Sequence, residues 1–169
     1  YMVTSDSNFN SVTKSLDSLV GYETKKALSL SNDGIVHGFQ EKFEKILSYG
    51  IDFVFGNRDE ALALTGTDNI DDAIEGLKEK NFTTIITDGP NGSFIVTGGD
   101  IIKNNGLEVE AIDTNGAGDM FAGAFMHAML NGKELHECGV FANLAASKIV
   151  QTFGPRLKKE EYQNLLENL

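Results

Sequence analysis

One cysteine, Cys138, stands in the 169 residues, so no internal disulfide can form. A reducing cytoplasm is the natural setting for such a chain. Basic residues are few: 14 lysines and arginines face 25 acids, for a net charge of −11. That balance argues against a nucleic-acid surface and against binding to an anionic membrane. No apolar run approaches membrane-spanning length, and no secretory signal opens the sequence. The three histidines, His37, His127 and His136, share no metal-ligand spacing with cysteines or acids and read as structural or surface residues. The two prolines, Pro90 and Pro155, both fall at breaks between elements. What is present is ordinary for a globular protein: 41% hydrophobic residues, 23% charged, and length enough for one domain with a proper core.

The strongest chemical signal is Asp113-Thr114-Asn115-Gly116-Ala117-Gly118-Asp119, running straight into Met120-Phe121-Ala122-Gly123-Ala124-Phe125. Two glycines flank an alanine, which lets the backbone turn tightly and approach a ligand with no Cβ in the way. The residues up to Leu130 are apolar nearly all round, which predicts a helix buried on every side. Asp119 is the only acid between Gly116 and Leu130 and falls in the first turn. A carboxylate there gains from the helix dipole, while the N–H groups of Gly116, Ala117 and Gly118 form an anion site. Phosphoryl transfer to an alcohol needs that pairing: donors for the transferring phosphate and a base for the hydroxyl proton. A loop shaped by glycines, with Asp119 only capping a helix, also explains the residues taken alone. A dinucleotide site would want a third glycine where Phe121 stands, and a P-loop would want Gly-Lys-Ser/Thr at Gly118-Asp119-Met120.

This stretch resembles the C-terminal signature of the ribokinase-type (PfkB) sugar and nucleoside kinases. The likeness runs from about Lys26 to Leu169, and more weakly back to Tyr1. Segments such as Ala27–Asn32, Phe39–Leu47 and Phe153–Leu157 lean toward the adenosine-kinase-like branch. The chain starts at Tyr1 within what reads as a strand, which predicts an internal piece of a longer protein.

In order, the periodicity predicts a strand tail at Tyr1–Thr4, a helix over Asn8–Leu19 and a strand at Lys26–Ser31. An amphipathic helix follows over Ile35–Leu47, then a buried strand at Ile51–Phe55 and helices at Arg58–Leu64 and Asp71–Lys80. Strands are expected at Thr83–Thr87, Ser93–Thr97, Ile101–Lys103 and Leu107–Ile112. After the motif helix come Leu135–Thr152 and Lys159–Leu169, both helical. The alternation argues for an α/β fold with a largely parallel sheet, whose ligands sit at the carboxyl ends of strands. The resemblance makes that fold ribokinase-like: a three-layer α/β/α sandwich around a mostly parallel, Rossmann-like sheet.

Four further groups of residues fall at strand ends or the last helices. Asn57-Arg58-Asp59-Glu60 resembles the family's Asn-x-x-Glu motif, which implies that Glu60 holds Mg²⁺ and phosphate, through water, and that Asn57 lies by the nucleotide. An N-cap with acids in its first turn explains the same residues. Thr87-Asp88-Gly89-Pro90-Asn91-Gly92 resembles the family's Thr-x-Gly-x-x-Gly turn, which implies that Thr87, Gly89 and Gly92 lie along the nucleotide; a plain turn serves equally. Asn143 falls where the family places a polar residue near the base or ribose, while Ala142, Ala145 and Ala146 read as helix-packing residues. A potassium-like ion is implied beside the anion hole, at the Asp113 carboxylate and carbonyls near Asn115, Thr152 and Gly154. Pro155 departs there from the alanine of many relatives, and for Asp113 a turn-forming role is the alternative.

The resemblance implies the C-terminal, nucleotide-binding part of one kinase domain, spanning residues 1–169, that uses ATP and Mg²⁺ to phosphorylate a hydroxymethyl group of a sugar or nucleoside. Asp119 is the implied base, with Gly116, Ala117 and Gly118 as the anion hole. Nothing matches the N-terminal half, which in this family supplies the acceptor pocket and the lid; a homodimer through that lid stays open. Two rivals stay open too: a non-catalytic nucleotide-binding or assembly module, and a vitamin kinase acting on pyridoxal or a hydroxymethylpyrimidine.

Overall fold

The computed structural model describes residues 2–169. Helix α1 (Asp6–Ser18) starts where the Ser5 hydroxyl accepts the Asn8 N–H at 3.2 Å, the usual work of a short polar N-cap. Strand β1 (Ala27–Ser29) leads into α2 (Asp33–Gly38) and α3 (Gln40–Leu47). Strand β2 (Phe53–Asn57) passes without a loop into α4 (Arg58–Thr65), which ends on left-handed Gly66. Then come α5 (Ile70–Lys78), β3 (Thr83–Thr87), β4 (Gly92–Thr97) and β5 (Asp100–Asn105). The last three helices are α6 (Ala117–Leu130), α7 (Leu135–Ile149) and α8 (Lys159–Leu166).

The strands follow one another in the sheet in chain order, β1 to β5. β1 and β2 are parallel, with Leu28 opposite Val54, and the helical crossover between them makes that possible. β4 and β5 are joined by Gly98-Gly99 alone, too short for a parallel crossover, so that pair is antiparallel and the sheet is mixed.

The chain packs as two compact units: one holds the residues up to Ile86 with Val96–Asp100, the other Thr87–Ile95 with Ile101–Leu169. The first unit centres on Val3, Leu28, Leu30, Val36, Phe43, Ile46, Ile51 and Val54, with Phe9, Val12 and Leu16 of α1 laid against them. Lys42 ties its start together, donating to the Val3 carbonyl at 3.1 Å and to Asp6 at 2.9 Å. The same ammonium lies 5.3 Å from the Phe9 ring centroid and 5.4 Å from that of Phe39. In the second unit α6 packs on α7, and Phe121, Phe125 and Ala128 of the first and Phe141, Ala142 and Ala145 of the second are buried. The Phe121 and Phe125 rings stack, with centroids 6.3 Å apart.

Five expectations change. Met2 to Thr4 form a turn, not a strand tail, and Tyr1 lies outside the described residues. The helix expected over Ile35–Leu47 is two helices, broken at Phe39 (φ −133°, ψ 34°). Gly38 is the weakest helix former in that run, and the break lets Val36 and Phe43 reach one core. Leu107–Ile112 forms no strand: its alternating residues have no core to face, and Leu107 and Ile112 are 44% and 65% exposed. Helix α6 is buried on one face only, at Phe121, Ala124, Phe125 and Ala128, while Gly123, His127 and Leu130 are exposed. Alanines and glycines made that helix read as apolar all round although they carry little hydrophobic weight. Helices α7 and α8 stop three residues short of the expected ends, at Ile149 and Leu166.

Candidate active site

The motif loop is held from two sides within the second unit. One Asp113 carboxylate oxygen accepts the Asn115 N–H at 3.0 Å, and the other accepts the Gly154 N–H at 3.0 Å. These backbone bonds hold its carboxyl below the usual aspartate value of 3.8. The Val150 carbonyl, at the end of α7, accepts the N–H groups of both Ile112 (2.7 Å) and Asp113 (3.2 Å). Gly116 then turns left-handed at φ +80°, and a Cβ there would sit 2.9 Å from Pro155 Cβ. Asp113, Asn115, Thr152 and Gly154, the four residues assigned to a monovalent ion, are therefore gathered at one loop pair. Thr152 turns its hydroxyl back to the Ile149 carbonyl at 2.9 Å.

No side chain caps α6. The Ala117 N–H, expected in the anion cradle, donates instead to the Thr114 carbonyl at 3.2 Å. Among the described residues the N–H groups of Gly116, Gly118 and Asp119 meet no acceptor, so Asp119 contributes a donor that the sequence reading gave to Ala117. The Asp119 carboxylate is exposed and has no partner among the described residues. It stands at the rim of a cavity of about 610 Å³ whose wall includes Gly116, Gly123 and His127 of α6, Arg156, and Tyr162 of α8. A carboxylate placed for proton transfer needs this openness, and unengaged N–H groups within one turn are the kind of donors an anion requires.

Glu60 belongs to the first unit. Asn57 caps α4 and Glu60 closes a reciprocal capping box: the Glu60 carboxylate accepts from Asn57 N at 3.0 Å and from Asn57 Nδ2 at 3.2 Å. Burial, 7% exposed, raises the Glu60 pKa above the usual 4.5; nearby Asp33 and Asp59 add to the rise, and the Asn57 backbone bond opposes it. Each oxygen accepts one bond and keeps lone-pair capacity, and a carboxylate crowded by other acids is stabilised by a cation. Water-mediated tethering of Mg²⁺ fits this donor set, and full encirclement does not: among the described residues no cluster of three acids, histidines or cysteines could hold a metal.

The Thr87–Gly92 turn belongs to the second unit. Gly89 and Gly92 are left-handed at φ +54° and +99°. Gly92 is required by packing, since a Cβ would overlap the Asn104 carbonyl; Gly89 faces open space, where a ligand could approach. Thr87 ends β3, half-buried. Asn143 is buried, and its Nδ2 reaches Ser93 Oγ at 3.3 Å and the carbonyls of Asn104 and Asn105 at 3.5 and 3.3 Å. Those carbonyl acceptors fix the amide orientation and leave Oδ1 as the atom able to meet a ligand. Asn104 and Gly139, which no motif marks, lie in the same buried cluster.

Residues 23–161 match the sequence profile of the pfkB family of carbohydrate kinases. The chain belongs to that family. A nucleoside kinase of Methanothermobacter thermautotrophicus is 30% identical over 159 residues, which cover 91% of this chain and 48% of that protein. An adenosine kinase of Dictyostelium discoideum is 28% identical over 75% of this chain and 41% of its own length. The crystal structure of adenosine kinase from Sinorhizobium meliloti superposes with a TM-score of 0.88 at 29% identity, over 96% of this chain and 50% of that one. The fold is thus the ribokinase-like α/β fold of pfkB kinases, and the lean toward the adenosine-kinase-like branch holds. The chain spans about half the length of the relatives it matches.

Proposed function

We propose that this pfkB chain is the nucleotide-binding part of an ATP-dependent kinase that phosphorylates a hydroxymethyl group of a nucleoside or sugar. The observation that carries the reading is the unpartnered, exposed Asp119 carboxylate one turn from three unengaged N–H groups. Asp119 takes the proton of the acceptor hydroxyl as its oxygen attacks phosphorus in line. The N–H groups of Gly116, Gly118 and Asp119 stabilise charge on the transferred phosphoryl group. Gly89 and Asn143 Oδ1 meet the nucleotide along the Thr87–Gly92 turn. Glu60 would hold Mg²⁺ through water, and the metal would supply charge neutralisation for the nucleotide. A potassium-like ion fits at Asp113, whose oxygens each accept one N–H and keep a free lone pair. Asp113 in that role shapes the field beside the anion site. A reducing cytoplasm is the setting this reading assumes.

The test is Asp119→Asn, with ATP affinity measured on this chain and turnover measured after co-expression with the half of the relatives' length it does not span. Loss of a general base costs on the order of 10²–10⁴-fold in rate, while ATP affinity stays within a few-fold. Turnover near that of the unmutated protein would remove Asp119 from the mechanism. A pair that binds nucleotide yet phosphorylates no acceptor favours the non-catalytic module.

A further inference from the structure

Gly139 lies in mid-helix, where glycine costs about 1 kcal/mol against alanine, so a compensating contact is expected. The contact is the Asn104 amide. A Cβ on Gly139 would overlap Asn104 Nδ2, stand 2.8 Å from its Cγ and 3.2 Å from Ile95 Cδ1. Asn104 is 1% exposed, so its amide has nowhere to withdraw. Among the described residues neither amide atom of Asn104 has a hydrogen-bond partner, so the amide meets Gly139 by its bulk.

One turn further along α7, on the same face, is Asn143. Its bonds to Ser93 Oγ and to the carbonyls of Asn104 and Asn105 run from 3.3 to 3.5 Å, at the outer limit of hydrogen bonding. They leave no slack for the helix to move outward. Ser93 directly follows Gly92, the last residue of the Thr87–Gly92 turn. The far end of α7 offers the Val150 carbonyl that holds Ile112 and Asp113. The distance between α7 and strands β4 and β5 therefore bears on the turn at one end and on the motif loop at the other.

We infer that Gly139 is a positioning residue: its missing side chain sets how closely α7 seats on β4 and β5, and so aligns Asn143 and the Asp113 loop for the nucleotide. The inference rests on the nucleotide-site reading above. The Asn104 side chain is the group Gly139 makes room for, and that amide makes no hydrogen bond; the bond from Asn143 goes to the Asn104 backbone carbonyl.

The experiment is a double-mutant cycle on this chain, with ATP affinity by calorimetry and melting temperature read in parallel. Gly139→Ala is expected to weaken ATP binding about tenfold to a hundredfold, the scale of an ångström-sized misplacement. Asn104→Ala alone is expected to leave ATP affinity within about twofold, because no hydrogen bond is lost. The double variant, with the obstructing amide gone, is expected to return to near the parent affinity, a coupling that independent sites would not show. Two outcomes overturn the inference: a folded Gly139→Ala protein with parent affinity, or a double variant no better than Gly139→Ala. Should Gly139→Ala fail to fold, Gly139→Ser read only in the Asn104→Ala background decides, and weak binding there overturns the inference. If the unmutated chain binds no ATP, the nucleotide-site reading fails, and that result is distinct from either.

Discussion

Gly116 and Gly118 stand two residues apart, and the structure asks different things of them. Gly116 needs a left-handed backbone and meets Pro155, so Gly116→Ala combines a strained backbone with a tight contact. Its expected cost is about 1–2 kcal/mol, read as a lower melting temperature. Gly118 is helical and its missing side chain faces open space. Gly118→Val should keep the melting temperature and lose ATP affinity, because the new methyls fill the approach to the N–H groups. Unchanged affinity would place the anion elsewhere. Glu60→Gln keeps the capping box but removes a buried charge. A carboxyl whose folded pKa lies above the unfolded 4.5 gives its full stability below that value and loses it as pH rises through the folded pKa. The glutamine variant should therefore gain in melting temperature over the parent as pH rises above 4.5, while the co-expressed pair that carries it needs more Mg²⁺ for half-maximal turnover. A gap that is flat with pH, or an unmoved Mg²⁺ requirement, would refute the two halves separately. Asp119, Asp113 and Glu60 could be singled out from the sequence because each sits in a short, contiguous pattern. Gly139 and Asn104 could not, since their contact joins positions 35 residues apart that no local pattern links.

At the scale of elements, what residues 107–112 lack is a core to bury one face against. Their alternation was read as a strand, but alternation specifies a strand only where one face has a core to bury against. Helix α6 shows the converse: its buried stripe follows helical spacing, hidden in the sequence by half-buried methionines and by glycines and Leu130 on the open face. Strands β3 and β4 were legible because their β-branched runs are bounded by turn residues. One carboxylate, that of Asp113, ties the motif loop to the loop that follows α7, beside the backbone bonds from Val150. A depressed pKa means that the ties of Asp113 stabilise the fold above pH 3.8 and are lost as pH falls through the folded value. Asp113→Ala should lower the melting temperature most near neutrality, and the difference from the parent should close in acid. A difference that is the same at every pH would show that the ionised carboxylate is not what ties the loop.

For the whole molecule, the governing fact is that the chain spans about half the length of its kinase relatives. On the reading proposed here, residues 1–169 alone bind adenine nucleotide weakly and phosphorylate neither adenosine, ribose nor fructose. Positioning of the acceptor and exclusion of water supply most of the rate in this chemistry, and nothing in the chain is assigned to either task. Co-expression with the other half should restore turnover on one of those acceptors. Robust turnover by this chain alone would overturn the division of labour. The family and fold were legible because the motif is long and the elements alternate plainly. The acceptor was not, because none of the motifs in these residues specifies one.

Lys42 offers an optical view of the first unit. Its ammonium sits beside the Phe9 and Phe39 rings, with only about a quarter of the side chain exposed. Methyl groups placed on the lysines by reductive methylation with ¹³C-formaldehyde would mostly resonate together in bulk water. Those on Lys42 would lie within the ring currents of two phenyl groups and stand apart in the spectrum. Because Phe9 belongs to α1 and Phe39 to the break between α2 and α3, one displaced resonance would report whether the first helix is docked, without unfolding the protein at all.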